Sequence, residues 1–335
     1  MLVFRLLVWL AVVGIVFITV ATLLSDYRQV LQLIISVSPG WLALIIASVL
    51  FNYVLRFAKW NYFLRLLNIE VPLRLNLWVF FSAFTMVLSP AKLGEVVKSF
   101  LLKTRLGIAV SRTAPIVMAE RLTDLIGLLI LCALGFSRFA FGGNTLLITG
   151  IIIFAGVWGM TRPRFWAAID RFLGRYEILH RFQSPVRAIQ ASTSSLLSLR
   201  SLAISVPVSA VSWAGEGVAL YLIFRAMGLD MPNLLAISIF AHAFGSIAGA
   251  LSFLPGGLLV TEGAMSMFFL YVAVPGTVAV SATFLIRAVT LWFAVILGML
   301  VFIAGHRKSD LLALQSSSDR DTSATDSQEK YNGNA

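Results

Sequence analysis

Two long apolar stretches of this chain are broken near their middles. Residues 75–102 are interrupted at Ser89-Pro90, and residues 233–273 at Leu254-Pro255-Gly256-Gly257. Six other runs, 2–24, 41–62, 113–135, 145–160, 203–226 and 278–304, are long and apolar enough to be read as membrane spans. In lipid no water satisfies a freed backbone group. A helix broken by proline, which lacks a donor, or by glycine, which tolerates unusual dihedrals, survives only where protein or a wet cavity supplies partners. Each interrupted stretch therefore reads as two helices meeting at a break, either a re-entrant hairpin or two tightly packed spans.

The distribution of Lys and Arg chooses between these. Arg162, Arg164, Arg171, Arg175, Arg181, Arg187 and Arg200 mark 162–200 as cytoplasmic. Lys59, Arg65 and Arg74 do the same for the 63–74 loop, Lys103, Arg105 and Arg112 for the loop before 113, and Arg307 and Lys308 for the C-terminus. Segments 25–40, 136–144 and 227–232 hold only Arg28 and Arg138 among basic residues and read as external. Both broken stretches then enter and leave by one face, and by opposite faces from each other. The expected fold is an all-α polytopic membrane protein with about six full spans, two broken re-entrant helical hairpins and both termini inside. The transmembrane unit is expected over 1–305, followed by a polar, disordered tail at 306–335. Within 162–200, Phe165, Trp166, Ile169, Phe172, Leu173, Tyr176 and Leu179 recur at helical spacing between arginines. That pattern fits an interfacial amphipathic helix or a helix packed on the protein.

Composition excludes several classes. The chain has 335 residues, 59% hydrophobic and 12% charged, so its net charge of +11 fits anionic headgroups and the positive-inside rule, not nucleic acid. A single cysteine, Cys132, excludes an internal disulfide framework and reads as a small core residue. His180, His242 and His306 lack metal-ligand spacing, and no metal or cofactor is expected. No P-loop, HExxH or Ser-His-Asp set occurs. The GEG at 215–217 has no preceding strand and is not a dinucleotide fingerprint.

The chain repeats itself. LRLLNIEVP (64–72) aligns with FRAMGLDMP (224–232) at an offset of 160, which also pairs Arg65 with Arg225, Phe80 with Phe240 and Ala83-Phe84 with Ala243-Phe244. The breaks follow in order, Pro90 with Pro255, then Glu95 with Glu262 at offset 167 and Arg121 with Arg287 at offset 166. The halves, about 1–135 and 145–304, have opposite expected orientation. Inverted repeats with broken helices are a transporter pattern.

Several charges lie in apolar surroundings. SPAKLGEVVK puts Lys92, Glu95 and Lys98 on one face of the helix expected after Pro90, with Gly94 at the break. AERLTDLIG contributes Glu120, Arg121 and Asp124, and Glu216, Glu262 and Arg287 complete the set. Each costs about 2.5–3.5 kcal/mol in lipid on insertion scales, so they must face one another or a polar cavity. In one reading Lys92, Lys98, Arg121 and Arg287 bind a lipid phosphate while the carboxylates form a polar track. In the other, the charges are an ion-pair network that fixes geometry. A membrane enzyme acting on lipid phosphates, with Glu120 and Asp124 as acid and base, and a non-transporting accessory protein are competing functions.

RFAKWNYFLRLLNI, SPAKLGEVVKSFLL, AERLTDLIGLL and LPGGLLVTEGAM together resemble the flippase-like transmembrane family of lysylphosphatidylglycerol synthases, over roughly 1–305, as a stand-alone member without the synthase domain. Ala91-Lys92 stands where relatives often have Gly-Arg, and Leu259-Val260-Thr261 where they often carry Gly and Arg before the Glu. The resemblance implies a lipid translocase of the bacterial inner membrane moving an anionic, polyprenyl-linked, aminoacylated or glycosylated lipid. Its implied partners are membrane lipids and a glycosyltransferase or lipid-modifying enzyme.

Overall fold

The computed structural model describes residues 27–89, 94–139, 141–175 and 183–305. The expected span 2–24, Pro90, Lys92, Tyr176, Leu179 and the 306–335 tail lie outside the described residues. The described chain is all helical. Helices α1 (Tyr27–Ile35), α2 (Pro39–Leu66), α3 (Leu73–Ser82), α4 (Val97–Leu106), α5 (Val110–Phe139) and α6 (Gly143–Thr161) are followed by α7 (Pro163–Arg175), α8 (Gln183–Leu196), α9 (Leu199–Ala226), α10 (Leu234–Leu251), α11 (Val260–Tyr271) and α12 (Gly276–Gly305). Among the described residues, α2, α9, α10 and α12 are long and apolar enough to cross a membrane. Leu44, Val54, Leu134, Ile151, Ile296 and Leu300 stand exposed, as expected of lipid-facing positions.

The repeat is written in the helix boundaries. Helices α2 and α9 each have 28 residues, and their bounds differ by 160 at both ends. Helices α5 and α12 each have 30 residues and differ by 166 at both ends. Helices α2 and α9 start after a serine in extended conformation, Ser38 and Ser198. They also stop alike. Asn68 and Gly228 take positive φ of 52° and 78°, and Ile69 and Leu229 donate N–H back to the carbonyls of Leu64 and Phe224. That 6→1 bond closes a helix C-terminus around a left-handed residue. The matched units thus run 39–139 and 199–305, with α6, α7 and α8 between them. The expected halves of 1–135 and 145–304 had assigned 145–160 to the second unit.

The units are joined through α2 and α9, which cross antiparallel. Asn52 donates its amide to the Ser212 carbonyl at 2.9 Å, and the Ser212 hydroxyl donates to the Asn52 carbonyl at 3.2 Å. These two residues are 160 apart, so each bonds its own repeat counterpart and the pseudo-two-fold axis passes between them. Ser48 reaches Gly215 and Lys59 reaches Ser209, which fixes the antiparallel sense. The buried pairs Phe80–Phe84 and Phe240–Phe244, ring centroids 5.3 and 5.8 Å apart, are again 160 apart in sequence.

Both expected breaks are present. In the second, Phe253, Gly256, Gly257 and Leu259 all have positive φ, and a one-turn 3-10 helix at Pro255–Gly257 separates α10 from α11. A Cβ on Gly257 would lie 2.9 Å from the Gly249 Cα, and one on Gly245 2.6 Å from the Met265 side chain. The GxxxG of α10 is therefore the seam along which α11 returns. In the first, α3 continues as a 3-10 turn, Ala83–Met86, and the Gly94 amide donates to Ser89 Oγ at 2.6 Å. A Cβ on Gly94 would meet Met86 Cβ at 2.7 Å, so only glycine allows the return segment so close. Of the helix expected after Pro90, the described part is a 3-10 turn at residues 94–96 followed by α4 from Val97; Glu95 precedes α4 and Lys98 lies within it.

The 162–200 region is two helices. In α7, Phe165 and Phe172 are exposed while Trp166 turns inward. Trp166 closes an apolar cavity of about 120 Å³ with Pro115 and Met118 of α5 and Ile189 of α8. Arg187 of α8 donates to both oxygens of Asp170 of α7, at 3.0 and 3.3 Å. That hydrogen bond and the carboxylate charge hold its guanidinium above the usual arginine range.

Candidate functional site: buried charges at the repeat axis

The first unit gathers its charges into one network. Glu95, just before α4, receives Arg56 of α2 at 3.2 Å, Arg121 of α5 at 3.1 Å and Lys98 of α4 at 3.5 Å. Lys98 also contacts Glu120 of α5 at 2.5 Å and lies over the Trp60 ring, 4.4 Å from its centroid. Asp124, one turn further along α5, holds Lys59 of α2 at 2.5 Å and Arg121 at 3.3 Å. Lys59 also reaches Ser209 of α9 at 2.7 Å. Four cations thus face three carboxylates. All are buried except Arg121, whose side chain is 17% exposed. Helical spacing explains the convergence, because Asn52, Arg56, Lys59 and Phe63 lie on one stripe of α2 and Glu120 and Asp124 on one stripe of α5.

In the second unit Glu262, in the first turn of α11, pairs with Arg287 of α12 at 2.5 Å. Arg287 also donates to the Gly256 carbonyl at 2.6 Å. The guanidinium therefore satisfies a backbone group that the break releases, which is the condition for such a break at membrane depth. Directly after Arg287, α12 widens into the π-helical segment Ala288–Trp292, and Tyr53 of α2 donates to the Thr290 carbonyl at 3.0 Å. Glu216 of α9 contacts His242 of α10 at 2.8 Å.

Superposing the repeat on these contacts separates two kinds of pair. The Glu95–Arg121 and Glu262–Arg287 pairs are counterparts, so a Glu–Arg pair beside the break occurs in both units. The lysine pairs occur once. At the offsets that match these helices, Lys59 and Asp124 correspond to Ala219 and Thr290, and Lys98 and Glu120 to Met265 and Ile286. These two lysine pairs of the first unit are thus absent from the second as wholes, cation and anion together. That is what burial demands, since a buried charge left without its partner costs about 3–5 kcal/mol.

The structure brings Glu95, Lys98, Glu120, Arg121 and Asp124 together, and places Glu262 with Arg287 in a second cluster. Lys92 lies outside the described residues. Lys98, one of the expected phosphate ligands, is enclosed by two carboxylates and an aromatic ring. Arg121 and Arg287 keep partial exposure. Lys59 corrects the topological reading of the 63–74 loop. It is 3% exposed, seven residues inside the end of α2, and is a network member, not a loop charge. Arg56, Asn52, Tyr53 and His242 were not expected at the site. Arg56 could have been found through the repeat, since offset 160 carries it onto Glu216.

Residues 9–298 match the model of the lysylphosphatidylglycerol synthase TM region. A 121-residue stretch is 31% identical to a UPF0104 membrane protein of Methanothermobacter thermautotrophicus, covering 36% of this chain but only 33% of that protein. Over 228 residues the chain is 29% identical to a UPF0104 membrane protein of the same organism, covering 63% of this chain and 68% of the relative. A UPF0104 membrane protein of Pyrococcus horikoshii is 22% identical over 327 residues, which covers 89% of this chain and 97% of the relative. The matched span takes in the first unit, the second as far as residue 298 and every member of the two charge clusters, and the chain belongs to the lysylphosphatidylglycerol synthase TM-region family of membrane proteins.

Proposed function

We propose that this protein moves lipid between the leaflets of the membrane, with an anionic, phosphate-bearing headgroup as its substrate. The observation that carries the reading is the antiparallel pair of units, each with a broken hairpin braced by a Glu–Arg pair. A headgroup crossing a bilayer needs polar groups at depth and a path open to each face in turn, and inverted units around such groups provide both. The excess cation of the first network and the partial exposure of Arg121 and Arg287 favour a phosphate. Polyprenyl-linked, aminoacylated and glycosylated lipids share that chemistry. The distribution of Lys and Arg supports a plasma membrane with both termini cytoplasmic.

Glu120 and Asp124, the acid–base candidates, are buried and each held by a lysine at 2.5 Å, which speaks for positioning over proton transfer to a substrate. The test is transbilayer movement of a fluorescent phosphatidylglycerol in proteoliposomes, read by quenching of outer-leaflet probe. Probe from the inner leaflet should become quenchable only when the protein is present. Folded protein that moves neither anionic phospholipid nor polyprenyl phosphate rules the reading out.

A further inference from the structure

The glycines of the GEG at 215–217 have a structural task. A Cβ on Gly217 would lie 2.6 Å from the Ile239 Cα, so only glycine lets α9 sit this close to α10. A Cβ on Gly215 would press on Phe51 at 3.3 Å, and Ser48 donates to the Gly215 carbonyl at 2.7 Å, which ties the other side to α2. Glu216 is thereby held between two helices. Toward α10 it meets His242 Nε2 at 2.8 Å, and toward α2 it interacts electrostatically with Arg56 and Tyr53. His242 is buried midway along α10, eight residues from its start and nine from its end. Among the described residues its Nδ1 has no hydrogen-bond partner, and the Trp213 ring lies 6.1 Å from the imidazole.

Every other buried carboxylate described above faces arginine or lysine, whose ordinary titration lies far above neutral pH. Here the partner is imidazole, the one side chain whose ordinary titration falls near neutral pH. Histidine and carboxylate pairs at membrane depth mark proton paths. With Glu216 ionised, its oxygen can only accept, so Nε2 carries the proton and Nδ1 is the basic nitrogen. One proton taken up at Nδ1 brings the pair from net −1 to neutral, with no bond broken. The helices packed on α9 and α10 carry other ionisable groups on their buried faces. These are Tyr53, Arg56 and Lys59 on α2, Glu120, Arg121 and Asp124 on α5, Glu262 on α11 and Arg287 on α12.

We infer that Glu216 and His242 form a proton-binding site inside the membrane, through which lipid movement is coupled to a proton. The coupling rests on the translocase reading; the proton site does not. A phosphodiester headgroup carries one negative charge, and a proton crossing with it makes the cycle electroneutral.

Two readouts on the full chain in lipid vesicles test this. In protein labelled with ¹⁵N-histidine, the chain's three imidazoles give separate signals, and the one from His242 should change protonation state as the pH is varied. That signal should be lost in H242Q and displaced in E216Q. In vesicles containing fluorescent phosphatidylglycerol, a pH difference imposed across the membrane should change the initial rate of wild-type lipid movement several-fold, and a protonophore should remove the effect. A His242 imidazole that keeps one protonation state from pH 5 to 9 overturns the proton site. A titrating imidazole with a lipid rate blind to the gradient overturns the coupling. Absence of any lipid movement by folded protein overturns translocation and coupling together, and the titration alone then decides the proton site.

Discussion

Replacing Lys98 by methionine copies the residue that the second unit carries at the corresponding position, Met265. The single change K98M leaves the Glu120 carboxylate buried without its 2.5 Å partner. The cost expected for such an orphaned charge is about 3–5 kcal/mol. E120I alone, copying Ile286, strands the lysine and costs a similar amount, although Glu95 at 3.5 Å shares part of its charge. The double variant K98M/E120I removes both charges and restores the apolar pair of the second unit. Its principal loss is the contact of Lys98 with the Trp60 ring, worth about 2 kcal/mol when desolvated. The singles therefore sum to about 6–10 kcal/mol while the double loses about 2, a coupling of at least about 4 kcal/mol. Thermal unfolding of the detergent-solubilised variants, followed by tryptophan fluorescence, measures this as a partial recovery of midpoint in the double variant. A double variant as unstable as the two singles combined would refute the ion pair as the source of the effect. A mild K98M would refute the enclosed setting assigned to Glu120.

Other changes probe separate parts of the account. Tyr53→Phe removes the donor to the Thr290 carbonyl in the π-helical segment and should lower stability by about 1 kcal/mol, seen as a small drop in thermal midpoint. Gly217→Ala forces α9 away from Ile239 and should cost about 1–3 kcal/mol, whereas Gly263→Ala, with open space around it, should leave the midpoint unchanged. Arg287→Ala leaves the Gly256 carbonyl without its donor and should make the second break more accessible to proteolysis, with Arg287→Lys restoring part of the protection. Arg187→Ala breaks a pair at the exposed end of the molecule and should leave both midpoint and lipid movement as in wild type.

Much of the architecture is legible in the sequence because it rests on periodic features. The offset of 160 found in nine residues around Arg65 extends to both ends of α2 and α9, and the breaks fall where proline and glycine interrupt apolar runs. The charge clusters are legible in part. Glu95, Arg121, Glu262 and Arg287 announce themselves as charges beside breaks. Lys59 does not, because a basic residue near a helix end has two physical destinies, snorkelling to the interface or burial against a carboxylate. Only the position of Asp124 on α5 decides between them, and that is a tertiary fact. His242 hides for a similar reason. An isolated histidine in IFAHAFG carries no signal until the glycines beside Glu216 are seen to bring α9 against α10.

The central claim is that the Glu–Arg pairs repeated beside both breaks work on the lipid, while the lysine pairs of the first unit only shape it. The rate of fluorescent phosphatidylglycerol movement in proteoliposomes, compared between E262Q and K98M/E120I at matched thermal stability, tests it directly. The account predicts that the double variant keeps most of the wild-type rate and that E262Q loses it. A double variant that stops lipid movement while E262Q sustains it contradicts the account.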